Sequence, residues 1–153
     1  MVQNIFFIDS ISKNNFEKNI KSSNFVLDYI EYIKPKTYEL NIVNKRDLSI
    51  KYPIVLEYLD KPEFNGFSIL IPELKIIQRW DLLDNLIIID IDIYLHKMKI
   101  GRVNINIIFN FTSNDKVKIS ITGQWVYKSF LIPSSILENV ILETKKFITV
   151  AVK

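Results

Sequence analysis

A chain of 153 residues, 48% hydrophobic and 24% charged, has the size and balance of one globular domain, and is too apolar to be disordered. A net charge of +3 is too mild for a nucleic-acid binder, which needs a basic stripe or arm. The lack of cysteine excludes disulfides, thiolate chemistry and cysteine-based zinc sites.

No repeat, low-complexity tract or linker divides the chain, so residues 1–153 read as a single domain. No apolar run is long enough to span a bilayer, so a transmembrane protein is not expected. The opening MVQNIFFIDS offers neither a basic n-region nor a long apolar stretch. The expectation is a cytoplasmic protein without a signal peptide, released only by lysis or as a passenger. Isoleucine is the commonest residue, which favours strands.

In chain order, residues 4–8 (NIFFI) read as a short first strand, and Ser12 to Asn24 as a polar, turn-rich stretch. FVLDYIEYI, residues 25–33, fits helix by its Val26, Ile30, Ile33 spacing and strand by its β-branched and aromatic content. Strand is the reading taken. Tyr38, Leu40 and Ile42 alternate with polar residues, as do Leu48, Ile50 and Tyr52, and FSILI forms a further strand ended by Pro72. Residues 78–85, QRWDLLDN, read as a connection with at most one helical turn.

The strongest pattern runs from Leu86 to Tyr127. Three successive segments each place apolar residues on one face: Ile87 to Leu95, Val103 to Phe111, and Val117 to Trp125. Period-two patterning of this kind predicts a three-stranded antiparallel meander with one dry face. Matching faces across each pair favours Lys99-Ile100-Gly101 as the first hairpin loop, with Gly101 left-handed, His96 opposite Asn104 and Asp90 opposite Asn110. It favours Ser113-Asn114-Asp115 as the second loop. A final helix follows, with a capping-box spacing at Ser135 and Glu138. Its apolar stripe comprises Ile136, Leu137, Val140, Ile141, Thr144, Ile148 and Ala151. The expected class is therefore α+β, mainly antiparallel β: a curved antiparallel sheet packed on a C-terminal amphipathic helix.

Four groups of residues invite a chemical reading. Asp90, Asp92, Tyr94 and His96 share one face of a strand, but same-face neighbours lie about 6.6–6.8 Å apart and spread along a line, which suits a solvated face better than a metal site. His96 is the single histidine, and no G-x-S-x-G elbow exists to give it a nucleophile. Asp60 with Glu73-Leu74-Lys75 has the form of an acid…E-x-K metal-dependent nuclease signature. Such short patterns are common in a charged chain, and Pro72 interrupts the strand that would present Glu73. Catalytic residues, metals and cofactors are therefore not expected, and the chain is read as non-enzymatic.

Lys97, Lys99, Arg102 and Lys128 form the fourth group. The proposed register brings them to one end of the meander, away from acids. There they would hold an anionic head group or an acidic partner surface; alternatively they form a charged rim that discourages edge pairing. The inward aromatics Phe109, Phe111, Trp125 and Tyr127 are core, or the lining of an acyl-chain cavity if the sheet curls round an unfilled interior.

In length, Ile/Asn/Lys bias, lack of cysteine, the run LIIIDIDIYLHKMKIGRVNINIIFNF and the final SSILENVILETKKFITV, the chain resembles the smallest OrfX-type accessory proteins encoded beside clostridial neurotoxin genes. The resemblance implies a TULIP-like lipid-binding fold, in which a curved sheet wraps a long helix, and a bacterial protein released with the toxin. It also implies a role assisting a neurotoxin, affinity for anionic lipids such as phosphoinositides, and association with another, larger OrfX-type protein of the same gene cluster. It transfers no functional residues.

Overall fold

The computed structural model describes residues 1–20, 23–35, 37–42, 54–60, 74–113 and 115–152. Within these residues, seven strands and three helices follow one another as β1 (Val2–Asp9), α1 (Lys13–Ile20), α2 (Ser23–Ile33), β2 (Tyr38–Ile42), β3 (Ile54–Asp60), β4 (Leu74–Leu82), β5 (Leu86–Leu95), β6 (Met98–Ser113), β7 (Lys116–Lys128) and α3 (Ile136–Ala151). The strands form one antiparallel sheet in the order β1-β7-β6-β5-β4-β3-β2. The first strand thus closes onto the last, and the other five follow as a meander.

The dry face is the expected one. Ile87, Ile89, Ile91 and Ile93 of β5, Val103, Ile105, Ile107 and Phe109 of β6, and Val117, Ile119 and Ile121 of β7 are all buried. Against them α3 buries Leu137, Ile141, Thr144, Phe147 and Ile148. Each such aliphatic or aromatic side chain contributes about 1.5–3 kcal/mol when fully removed from water, so this contact is a principal source of stability. The anticipated stripe is present and is widened by Phe147. Close approach of α3 depends on Gly123: a Cβ there would lie 2.8 Å from Ile141 Cδ1 and 3.0 Å from Leu137 Cδ1.

Several expectations are corrected. FVLDYIEYI belongs to α2, because one helical face carries Phe25, Val26 and Ile30 into the core, and Phe25 meets both Trp80 and Phe147 at centroid distances of 5.9 and 5.0 Å. Tertiary packing overrides the strand preference of its residues. The polar stretch after Ser12 forms α1. Ser12 Oγ accepts the Asn15 N–H at 3.3 Å as an N-cap, and Phe16 and Ile20, one turn apart, anchor the helix. Residues 78–82 continue β4, whose inward face reads Leu74, Ile76, Gln78, Trp80. Strand β3 is an addition to the expected elements. The strands expected at Leu48–Tyr52 and at FSILI lie outside the described residues.

Both hairpins differ in their turns. β5 and β6 are joined by the two-residue turn His96-Lys97, with Leu95 opposite Met98 and an irregularity beyond Tyr94 that leaves Ile100 extra. Asp90 therefore faces Asn104, and Asp92 faces Arg102. The left-handed residue is His96, with φ 56°; Gly101 lies within β6, where a Cβ would meet Ile132 Cδ1 at 2.9 Å. In the second hairpin the expected pairing holds from Val103↔Trp125 to Phe111↔Val117, and an irregularity then brings Ser113 opposite Lys116. The capping box is not formed: Ser135 makes no side-chain cap. A tight turn replaces it, in which the Pro133 and Ser134 carbonyls accept the N–H groups of Ile136 and Leu137 at 3.2 and 3.4 Å.

Candidate functional site

Among the described residues, two regions carry polar chemistry: the interior between sheet and helices, and the sheet end where β5 turns into β6.

In the interior, β4 directs Gln78 inward among apolar side chains, where it is 3% exposed. Its Nε2 donates to Tyr58 Oη at 2.8 Å and to Tyr29 Oη at 3.0 Å. Its Oε1 accepts from Trp80 Nε1 at 2.9 Å. An indole nitrogen can only donate, so Trp80 fixes which way the amide points. Burial of an amide is tolerated when its groups are paired, and here both ends are. The cluster joins α2, β3 and β4.

Beside it lies a cavity of about 10 Å³, lined by Phe25, Tyr29, Trp80, Ile105 and Phe147 among others. That is room for about one water molecule. Phe25, Tyr29, Trp80 and Phe147 fill the remaining space with ring centroids 5.0 to 5.9 Å apart, the separations of offset and edge-to-face aromatic pairs.

The aromatics expected to line a cavity are placed differently. Phe109 and Phe111 pack edge-on against Phe16 of α1, at 5.1 and 5.5 Å. Tyr127 is exposed. Trp125 is partly buried and lies over Gly101 beside Ile132. Its Nε1 is fully buried and has no hydrogen-bond acceptor among the described residues.

The four expected cations belong to one sheet end but are differently engaged, and Lys128, paired with Gly101, lies on the inward face, opposite to Arg102. Lys99 Nζ lies 3.0 Å from Asp92 Oδ1. Arg102 lies 3.7 Å from Asp92 and 3.8 Å from Asp90. Arg79, not anticipated, pairs with Asp92 Oδ2. Asn104 Nδ2 donates to Asp90 Oδ1 at 2.7 Å. Lys128 Nζ donates to the carbonyls of Ser129 and Ile132, at 3.3 and 2.9 Å. Lys97 stands exposed in the turn.

The acid-free neighbourhood expected for these residues is thus corrected: the actual register sets Asp92 directly opposite Arg102. Nor is this strand face solvated, since Asp90 and Asp92 are 5% and 3% exposed beneath their long neighbours. Burial alone would raise the Asp92 carboxyl, but the Lys99 and Arg79 cations beside it outweigh that and hold the group below its ordinary value.

Of the other candidate residues, the structure describes the surroundings of His96 and Lys75. His96 projects from the turn. Lys75 pairs with Glu57 at 2.8 Å, while Glu73 lies outside the described residues. Among the described residues no cluster of three or more histidines and carboxylates could hold a metal ion, and no helix is long and apolar enough to cross a membrane.

No family model matches the sequence, and no curated protein is similar to it. Solved structures do share the fold. A START superfamily protein from Mycobacterium smegmatis superposes with a TM-score of 0.55 at 10% identity, over 98% of this chain and 92% of that one. A conserved protein from Geobacillus kaustophilus gives 0.55 at 10% identity, over 98% and 93%. Ara h 8.0201 gives 0.53 at 12% identity, over 99% and 95%. At such identities the likeness is one of fold alone. The curved seven-stranded sheet closed on its C-terminal helix is a START/Bet v1-like helix grip, the sheet-round-helix architecture that the sequence leads one to expect.

Proposed function

We propose that this chain is a non-enzymatic binding protein that takes a lipid-like amphiphile between its sheet and α3. The observation that carries this reading is Trp125 Nε1, a buried donor with no acceptor among the described residues. Such groups are rare in folded proteins and call for a partner. An oxygen on the ligand's polar end, in a carboxyl, carbonyl or phosphate group, would accept that N–H, with the apolar body lying against the isoleucines of β5 and β6. Ile132, which covers Gly101 beside Trp125, would have to shift, because the cavity described above has room for about one water. The phosphoinositide preference and the service to a neurotoxin implied by the OrfX-type resemblance are finer forms of this reading.

Native mass spectrometry of the purified protein would reveal a co-purifying lipid. Trp80→Phe leaves Trp125 as the sole indole, whose emission should change saturably on titration with oleate or lysophosphatidylcholine, and Trp125→Phe in the native background should weaken retention of the lipid. Absence of both a co-purifying lipid and a saturable change would sink the proposal.

A second reading, docking on a larger OrfX-type partner of the same gene cluster, is favoured by the edge strand β1, which exposes Ile5 and Phe7 on its outward face. Co-purification with neighbouring gene products, lost on Ile5→Ser and Phe7→Ser, would test it.

A further inference from the structure

The sheet end that carries the cations also carries the most exposed large apolar side chain among the described residues. Phe130 is 92% exposed, at the crest of the turn between β7 and α3. Leu131 is exposed beside it, and Met98 and Tyr127 are exposed on the adjoining strand ends. The two turns are neighbours: Gly101 pairs with Lys128, and the Ser129 N–H donates to the Ile100 carbonyl at 2.8 Å.

The crest is tied down from beneath. Ser129 Oγ accepts the Leu131 N–H at 3.2 Å, the Ser129 carbonyl accepts the Ile132 N–H at 3.2 Å, and Lys128 Nζ bridges the Ser129 and Ile132 carbonyls. A phenyl ring held out into water by this much bonding is a built feature, and an apolar group so placed gains by leaving water.

The charge around it has one sign in excess. Arg79, Lys99 and Arg102 lie over Asp90 and Asp92, and Lys97 and Lys128 belong to the same sheet end, which makes five bases with two acids. Lys97, in the turn between β5 and β6, is exposed.

We infer that this end docks on an anionic membrane surface, with Phe130, Leu131 and Met98 entering the interface and Lys97 lying among the phosphates. Shape favours a bilayer over a protein partner. The apolar groups stand out from a turn and two strand ends, and a fluid interface receives protruding side chains without a preformed pocket. Cations of the same sheet end would then meet the headgroups. The contact is on the outer surface and does not depend on a ligand in the interior.

Flotation of the full chain with vesicles tests it. Neutral phosphatidylcholine vesicles are compared with vesicles containing phosphatidylserine or a phosphatidylinositol bisphosphate. The protein should float with the anionic vesicles and less so at high salt. Phe130→Ala and Lys97→Glu should each weaken binding about tenfold, with thermal melts unchanged because both side chains are exposed. Protein stripped of any co-purifying lipid should float as the untreated chain does, which separates this contact from the interior site. No preference for anionic over neutral vesicles, or native-like flotation of both tip variants, would overturn the inference. Failure to float combined with Phe130-dependent capture of a second protein would give the tip to a protein partner instead.

Discussion

Lys99 Nζ meets Asp92 Oδ1 at 3.0 Å across the β5–β6 pair, although Asp92 projects from the outward face of the sheet. The carboxylate is buried because Arg79 from one neighbouring strand and Lys99 and Arg102 from the other lie over it. One acid thereby holds three cations that would otherwise repel one another, and it fixes β4, β5 and β6 in register.

Asp92→Asn should accordingly cost about 1–3 kcal/mol in urea unfolding. Removing one partner of a fully buried pair costs roughly 3–5 kcal/mol; the value here is lower because the three cations retain 30% to 36% of their side-chain exposure and are screened by water. The same pairing sets an acid dependence. The Asp92 carboxyl is held below its ordinary value of 3.8, so its contribution is fully present above that pH and is lost as pH falls through the lowered value. Native protein should lose stability below about pH 4 more steeply than Asp92→Asn, as followed by circular dichroism.

Replacing Gln78 with leucine keeps the bulk and removes the amide. The Trp80 indole N–H then loses its acceptor in a buried setting, and an unsatisfied group of this kind costs about 1–3 kcal/mol. Chemical denaturation should show that loss, and Trp80 emission in the folded state should change with it.

The grip on α3 should be sensitive to both partners. Ile141→Asp places a charge where Ile141 is 1% exposed and should abolish cooperative unfolding, whereas Ile141→Ala should fold with a loss of about 2–5 kcal/mol. Gly123→Val forces β7 and α3 apart and should cost about 1–3 kcal/mol. Differential scanning calorimetry distinguishes these outcomes.

His96 is a non-glycine residue at φ 56° in a two-residue turn. His96→Gly should relax it and raise stability by about 0.5–1 kcal/mol, the strain relieved being partly offset by the freer unfolded chain. An unchanged or lower melting temperature would show that the histidine side chain contributes something glycine cannot.

The three central strands were legible because each buries one face, and a period of two announces that directly. Face matching fixes only which residues point inward, so it admitted a first hairpin in which Asp90 met Asn110 when the true partner is Asn104. The choice rested on His96 accepting a left-handed backbone, against the preference of its residue type. β4 is not announced by its pattern, because a glutamine stands on its inward face and the partners that satisfy buried Gln78, namely Tyr29, Tyr58 and Trp80, are distant in sequence or aligned only by the fold. α2 has residues suited to either structure, and contacts with Phe147 and Trp80 decide it. Of the basic end, proximity was readable and pairing was not, since Arg79 and Lys99 reach Asp92 only through the register.

Pairing of β1 with β7, in which Val2 lies opposite Gly123, has a kinetic consequence. During synthesis residues 2–9 must wait for residues 116–123 before their backbone groups find partners, and α3, made later still, covers the apolar face that both strands share. Contacts of such long sequence separation slow folding, and the waiting isoleucine-rich strands are open to misassociation meanwhile. Slow refolding and chaperone dependence should therefore accompany this topology.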